Sequence, residues 1–150
     1  MGAIYDALIR FLEEDDWSYS QVEEHPIARF TFGGDNGNWS CYAQAREEQE
    51  QLIIYSLCPF NAPETRRHEV AEFLTRANYG LVIGNFELDY ADGAIRYKTS
   101  LDIAPAHLNT DLIKRLLYPN LLTMDKYLPG IIGVAHAGKS PEQAVAEIEG

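Results

Sequence analysis

The chain has 150 residues and a formal net charge of −11, from 12 basic and 23 acidic side chains. That length suits one domain over residues 1–150, and 46% hydrophobic with 23% charged residues excludes a disordered or collagen-like chain. The first fifty residues hold 3 basic against 11 acidic side chains, so neither nucleic acid nor an anionic membrane is an expected partner.

Ile4, Leu8, Ile9, Phe11 and Leu12 recur at helical spacing and predict an amphipathic helix over about residues 2–15. Trp17 to Glu24 reads as a short extended segment, ended by His25-Pro26. Three β-segments follow, Ile27–Gly33, Asn38–Arg46 and Gln51–Cys58. The first reversal is the glycine-rich Gly33–Gly37, and the second is the acidic Glu47–Glu50. Asn61, Pro63 and Glu64 read as the cap and first turn of a second helix with an apolar stripe of Val70, Phe73, Leu74 and Ala77. Phe86, Leu88 and Tyr90 alternate with polar residues before Asp92-Gly93, and Ile95, Tyr97, Leu101 and Ile103 do so after it. A two-residue loop there would pair Tyr90 with Ile95, Leu88 with Tyr97, Asp89 with Arg96 and Glu87 with Lys98. Asn109 or Thr110 opens a helical third, which Tyr118-Pro119 and Pro129-Gly130 should kink or interrupt. Ser140, Pro141 and Gln143 open a last short helix. The order α-βββ-α-ββ-α implies an α+β fold, an antiparallel sheet with helices packed on one face.

Centring the first turn on Gly34–Gly37 sets Phe32 opposite Trp39, Phe30 opposite Cys41 and Ala28 opposite Ala43. Centring the second on Gln49-Glu50 sets Cys41 opposite Cys58, Ala45 opposite Ile54 and Tyr42 opposite Leu57. Both hairpins then share one apolar inner face, yet Ile53, Tyr55 and Leu57 point the other way. A strand apolar on both sides needs cover on both sides. Either another helix of the chain covers these residues or a second chain does; Tyr42, Ile53, Tyr55 and Leu57 are the expected partner-binding residues, covered by a second copy in a homodimer or by another protein.

Residues that could carry chemistry do not group. His25, His68, His107 and His136 are scattered without HExxH or Cys/His ligand spacing, so no metal, cofactor or catalytic set is expected. The glycine-rich turn lacks the Gly-Lys-Ser/Thr of a phosphate loop and lies between strands rather than before a helix. Glu13–Asp16 lacks the alternating ligands of a calcium loop. Cys41 and Cys58, facing each other in the register above, would be either buried inert thiols or a redox pair. Two cysteines, no secretory signal and no apolar run of membrane length point to a cytoplasmic protein.

Short motifs in fixed order carry a family resemblance. They are Asn78-Tyr79-Gly80, Gly84-Asn85-Phe86-Glu87-Leu88-Asp89, Asp92-Gly93-Ala94-Ile95-Arg96-Tyr97, Met124-Asp125-Lys126-Tyr127-Leu128-Pro129 and Ser140-Pro141-Glu142-Gln143-Ala144. Over roughly Ile4 to Glu149 the chain resembles the YbjN-type domain family, whose fold is like that of type III secretion chaperones. The resemblance implies a small acidic dimer that binds proteins, chaperone-like or regulatory, and it brings no catalytic residues with it. The expected function is a non-enzymatic homodimeric protein-binding module whose acidic first third favours basic clients. The alternatives are a small-molecule sensor with a ligand pocket, or a structural subunit of a larger assembly.

Overall fold

Alternation of small and apolar residues with polar ones along the first strands produces a sheet with one dry side. The computed structural model describes residues 1–150. Six strands form it: β1 (Tyr19–Gln21), β2 (Ile27–Gly33), β3 (Asn38–Arg46), β4 (Gln51–Leu57), β5 (Asn85–Leu88) and β6 (Ile95–Asp102). Their order is β1-β2-β3-β4-β6-β5, antiparallel at every pairing. Four helices lie on the dry side, three of them against the sheet: α1 (Ala3–Glu14), α2 (Arg67–Gly80), α3 (Thr110–His136) and α4 (Pro141–Glu149). Helix α1 packs on β3, α3 on β4 and β6, and α2 on β5, while α4 packs on α2 and α3. The α+β fold with helices on one face is therefore what forms, with a short added strand, β1, inside the extended segment after α1.

The acidic turn between β3 and β4 has a structural task. The N–H groups of Ile4 and Tyr5 donate to Glu47 Oε1 and Oε2 at 3.1 and 2.9 Å, so a carboxylate 43 residues away satisfies the first turn of α1. At the other end of α1, Asp15 accepts from Trp17 Nε1 at 2.9 Å and from the Tyr118 hydroxyl at 2.5 Å. That second bond, with burial and the nearby carboxylate charge, pushes the Tyr118 hydroxyl up to about 12. Part of the acidic run is thus tied to α3.

Two hairpins pair in a register shifted from the expected one, the first because its turn centres on Glu48-Gln49. Glu47–Glu50 closes as a four-residue turn, with Glu50 in the left-handed region at φ 58°, so Cys41 faces Ser56, Ala43 faces Ile54 and Tyr42 faces Tyr55. Cys58 lies beyond β4 and does not oppose Cys41, which removes the redox pair. Cys41 Sγ instead lies 3.7 Å from Ser56 Oγ. Burial pushes the two thiols up to about 12 and about 11, so both stay protonated near neutral pH.

The last hairpin slips likewise. Asp89 and Asp92 accept from the N–H groups of Ala91 and Ala94, folding a six-residue loop that leaves Leu88 opposite Ile95 and Glu87 opposite Arg96. Gly93 in this loop has φ +82°, and a Cβ there would come within 2.3 Å of the Ala62 carbonyl. Tyr90, expected to pair with Ile95, is left 56% exposed. Asn61 serves this loop by donating to the Asp92 carbonyl, and a 3₁₀ turn over Glu64–Arg66 leads into α2.

Helix α3 corrects the expectation of breaks at Pro119 and Pro129, for it runs unbroken through both. A proline inside a helix removes one N–H and costs about 3 kcal/mol unless the freed carbonyl finds another donor. Pro129 leaves the carbonyl of Asp125 without its helical partner, and Asn36 Nδ2 donates to it at 2.9 Å. The Asp125 carboxylate in turn accepts from the N–H groups of Asp35 and Asn36 at 3.2 and 2.8 Å. Gly34 leaves room for this contact, since a Cβ there would sit 2.3 Å from Asp125 Oδ1. Next to Pro119, Asn120 Nδ2 donates to the Ile54 carbonyl and Thr99 Oγ1, and Thr99 donates to the Leu116 carbonyl. At the helix starts, Asn109 caps α3 and Ser140 caps α4, as their sequences predict.

The sheet's two edges differ. At β5 the side chain of Asn78 accepts from Phe86 N–H at 2.7 Å and donates to the Phe86 carbonyl at 3.1 Å, taking the place of a seventh strand. At the opposite edge, β1 is three residues long.

Candidate protein-binding face

Odd positions of β4 point away from the helices. Leu52, Ile54 and Ser56 are buried, whereas Ile53, Tyr55 and Leu57 are half-buried on the opposite side. Tyr42 and Gln44 of β3 share that side and pair directly with Tyr55 and Ile53. The four residues singled out by the pairing arithmetic thus lie on one face, uncovered by any helix of the chain, although Tyr42 opposes Tyr55 and not Leu57.

Charge frames this apolar centre. Arg29 of β2, Arg46 of β3 and Arg96 and Lys98 of β6 stand on the same side, with Glu87 of β5 and Asp102 of β6. The Arg96 guanidinium lies 4.2 Å from the centre of the Tyr55 ring. Arg96 Nε and Lys98 Nζ both reach Glu87, at 2.7 and 3.0 Å. Burial would raise the Glu87 carboxyl, but hydrogen bonds and charge from Lys98 and Arg96 outweigh it and hold the group below its usual value. Arg29 donates to Ser40 Oγ at 3.4 Å and Arg46 to Gln51 Oε1 at 3.2 Å, so both keep neutral partners. A groove of 320 Å³ crosses β3, β4 and β6, lined by Arg46, Ile53, Tyr55, Lys98 and Asp102 among others.

Sequence reasoning found the apolar centre and missed the cationic frame. The signal was present, because Arg29, Arg46, Arg96 and Lys98 have the parity of Tyr42 and Tyr55 once the strands are in register. Elsewhere the largest hollow is an open 530 Å³ groove between α1 and β1, lined by Tyr5, Ile9, Arg10, Glu13 and Tyr19 among others. No three His, Cys, Asp or Glu side chains are grouped to hold a metal ion, and no helix is long and apolar enough to cross a membrane. His25 lies beside Glu23, and His136 packs against Phe60.

Comparison with known proteins agrees with this geometry at the level of fold. The YbjN family model, described as "Putative bacterial sensory transduction regulator", matches residues 5–132. No curated protein matches. The crystal structure of YbjN from E. coli superimposes with a TM-score of 0.63 at 10% identity, covering 89% of this chain and 90% of that one. A chain of the ExsC–ExsE complex gives 0.59 at 16% identity, covering 84% and 91%. A chain of the HopA1–SchA chaperone–effector complex gives 0.51 at 18% identity, covering 83% and 91%. At these identities the likeness is one of fold.

Proposed function

The chain belongs to the YbjN family, and we propose that it is a non-enzymatic protein-binding module, chaperone-like or regulatory, that seats a segment of another protein on its open sheet face. The observation that carries this reading is the uncovered apolar centre of Tyr42, Ile53, Tyr55 and Leu57, on a sheet whose other side carries α1, α2 and α3. Two solved structures of the same fold, the ExsC–ExsE and HopA1–SchA complexes, pair such a chain with a second protein, which supports the role. The whole chain acts as one domain in a reducing cytoplasm, a reading supported by its two unpaired, buried thiols.

The module works as a homodimer. Stacking the open face on itself would bring its unpaired arginines together, so the second copy meets the chain elsewhere. The end of α2 and the α2–β5 connection, where Tyr79, Val82 and Ile83 are 95%, 91% and 51% exposed, supply the apolar surface for it. Strand addition is not the mode there, because Asn78 already fills the β5 edge at Phe86.

Selection of a random dodecapeptide library on the purified protein tests the docking role. Enriched peptides should lose at least tenfold in affinity for a Tyr55→Asp, Leu57→Asp variant whose melting temperature matches the parent. Peptides that bind parent and variant alike, or no enrichment at all, would overturn it.

A further inference from the structure

We propose that the occupant of the open face is an extended acidic segment of a partner protein, its carboxylates on Arg29 and Arg46 and its apolar side chains on the Tyr42–Tyr55 pair. The inference rests on the docking reading above and adds the chemistry of the partner. The chain as a whole carries −11, which would suggest basic clients. The face runs against that total. Its strands present Arg29, Arg46, Arg96 and Lys98 against Glu87 and Asp102, with Asp89 beside Arg96 at the β5 end, and Glu87 is already shared between Arg96 and Lys98. Arg29 and Arg46 form no ion pair within the chain, and their side chains end on the neutral Ser40 and Gln51. Cations without a carboxylate, arranged around two adjacent tyrosine rings, complement a short segment that alternates carboxylates with apolar groups.

Apart from Glu87 and Asp102, several acidic groups are engaged elsewhere in the chain. Glu47 is bonded to the first turn of α1, Asp15 to Trp17 and Tyr118, and Asp125 to the β2–β3 turn. At physiological salt a charge is felt over about 8 Å, so a segment confined to the face senses its cations. A nucleic acid, with phosphates continuing beyond the face, would meet the acidic remainder. A second copy laid face to face would set arginine against arginine.

Fluorescence anisotropy with four labelled probes on the intact protein tests the proposal. Three are twelve-residue peptides alternating leucine with aspartate, lysine or serine, and the fourth is a twelve-nucleotide uridine RNA. The aspartate peptide should bind at least fivefold tighter than the serine peptide and weaken as salt rises. In an Arg29→Glu, Arg46→Glu variant, which removes no ion pair, the preference should pass to the lysine peptide. Equal or tighter binding of the lysine or serine peptide to the parent would overturn the acidic partner and leave the docking face standing. Tighter binding of the RNA would replace the protein partner with a nucleic acid. Binding of none of the four, with the parent dimerising through residues 29 and 46, would assign the face to a second copy. Binding of none without that dimer would remove the docking reading as well.

Discussion

Asp125 shows how one side chain can hold two distant parts of the chain. Its carboxylate receives two N–H groups of the β2–β3 turn, and its carbonyl, released from the helix by Pro129, receives the amide of Asn36. Asp125→Ala leaves the carbonyl bond in place and removes both carboxylate bonds. Asn36→Ala does the reverse for the side-chain bond. Each variant should be less stable than the parent by about 1–3 kcal/mol in urea unfolding, and the double variant should fall short of the sum because the two groups share one contact. Strictly additive losses would contradict the shared clamp. Nothing in the sequence around Asp125 announces this arrangement, since its partners lie some ninety residues earlier. A proline read locally predicts a break, and only the tertiary donor removes it.

At the scale of the element, the β5–β6 hairpin owes its register to its loop and its charge balance to Glu87. Lys98 and Arg96 hold the Glu87 carboxyl below its ordinary value of 4.5, so the unfolded chain takes up this proton at a higher pH than the folded one does. The resulting stability is fully present above that ordinary value and is lost as pH falls through the lower folded value. Urea midpoints from neutral to about pH 3 should therefore drop more steeply for the parent than for Glu87→Gln. Parallel curves would show that the carboxylate contributes nothing. The same hairpin shows what alternation can and cannot convey. A slip of two residues keeps every side chain on its face, so the apolar and polar sides were legible from period alone. The actual partners depended on Asp89 and Asp92 folding the loop, and the Glu47–Glu50 turn had the same effect on Cys41 and Tyr42.

For the whole molecule, the sides of the sheet were legible and their charge was not. Tyr42, Ile53, Tyr55 and Leu57 announce an over-apolar pair of strands by composition. The cations around them are spread over three strands and gather only when β2, β3 and β6 are in register. Separating the two proposed contacts, open face and α2–β5 connection, gives a prediction at this scale. In sedimentation equilibrium the 16.9 kDa chain should have about twice its mass, and Val82→Asp with Ile83→Asp should halve it, whereas Tyr55→Asp should not. A dimer that resists the first pair and dissociates with the second variant would place the second copy on the sheet.

The asymmetry of the edges bears on behaviour at high concentration. Chains that stack edge to edge into an open fibre need a free donor-and-acceptor row at both ends of every sheet. Here Asn78 occupies one end, and the other offers only the short β1. Head-to-tail growth by strand pairing meets a stopper in every molecule, so a protein that leaves one broad face bare for its partners is still guarded against filaments built through its own backbone.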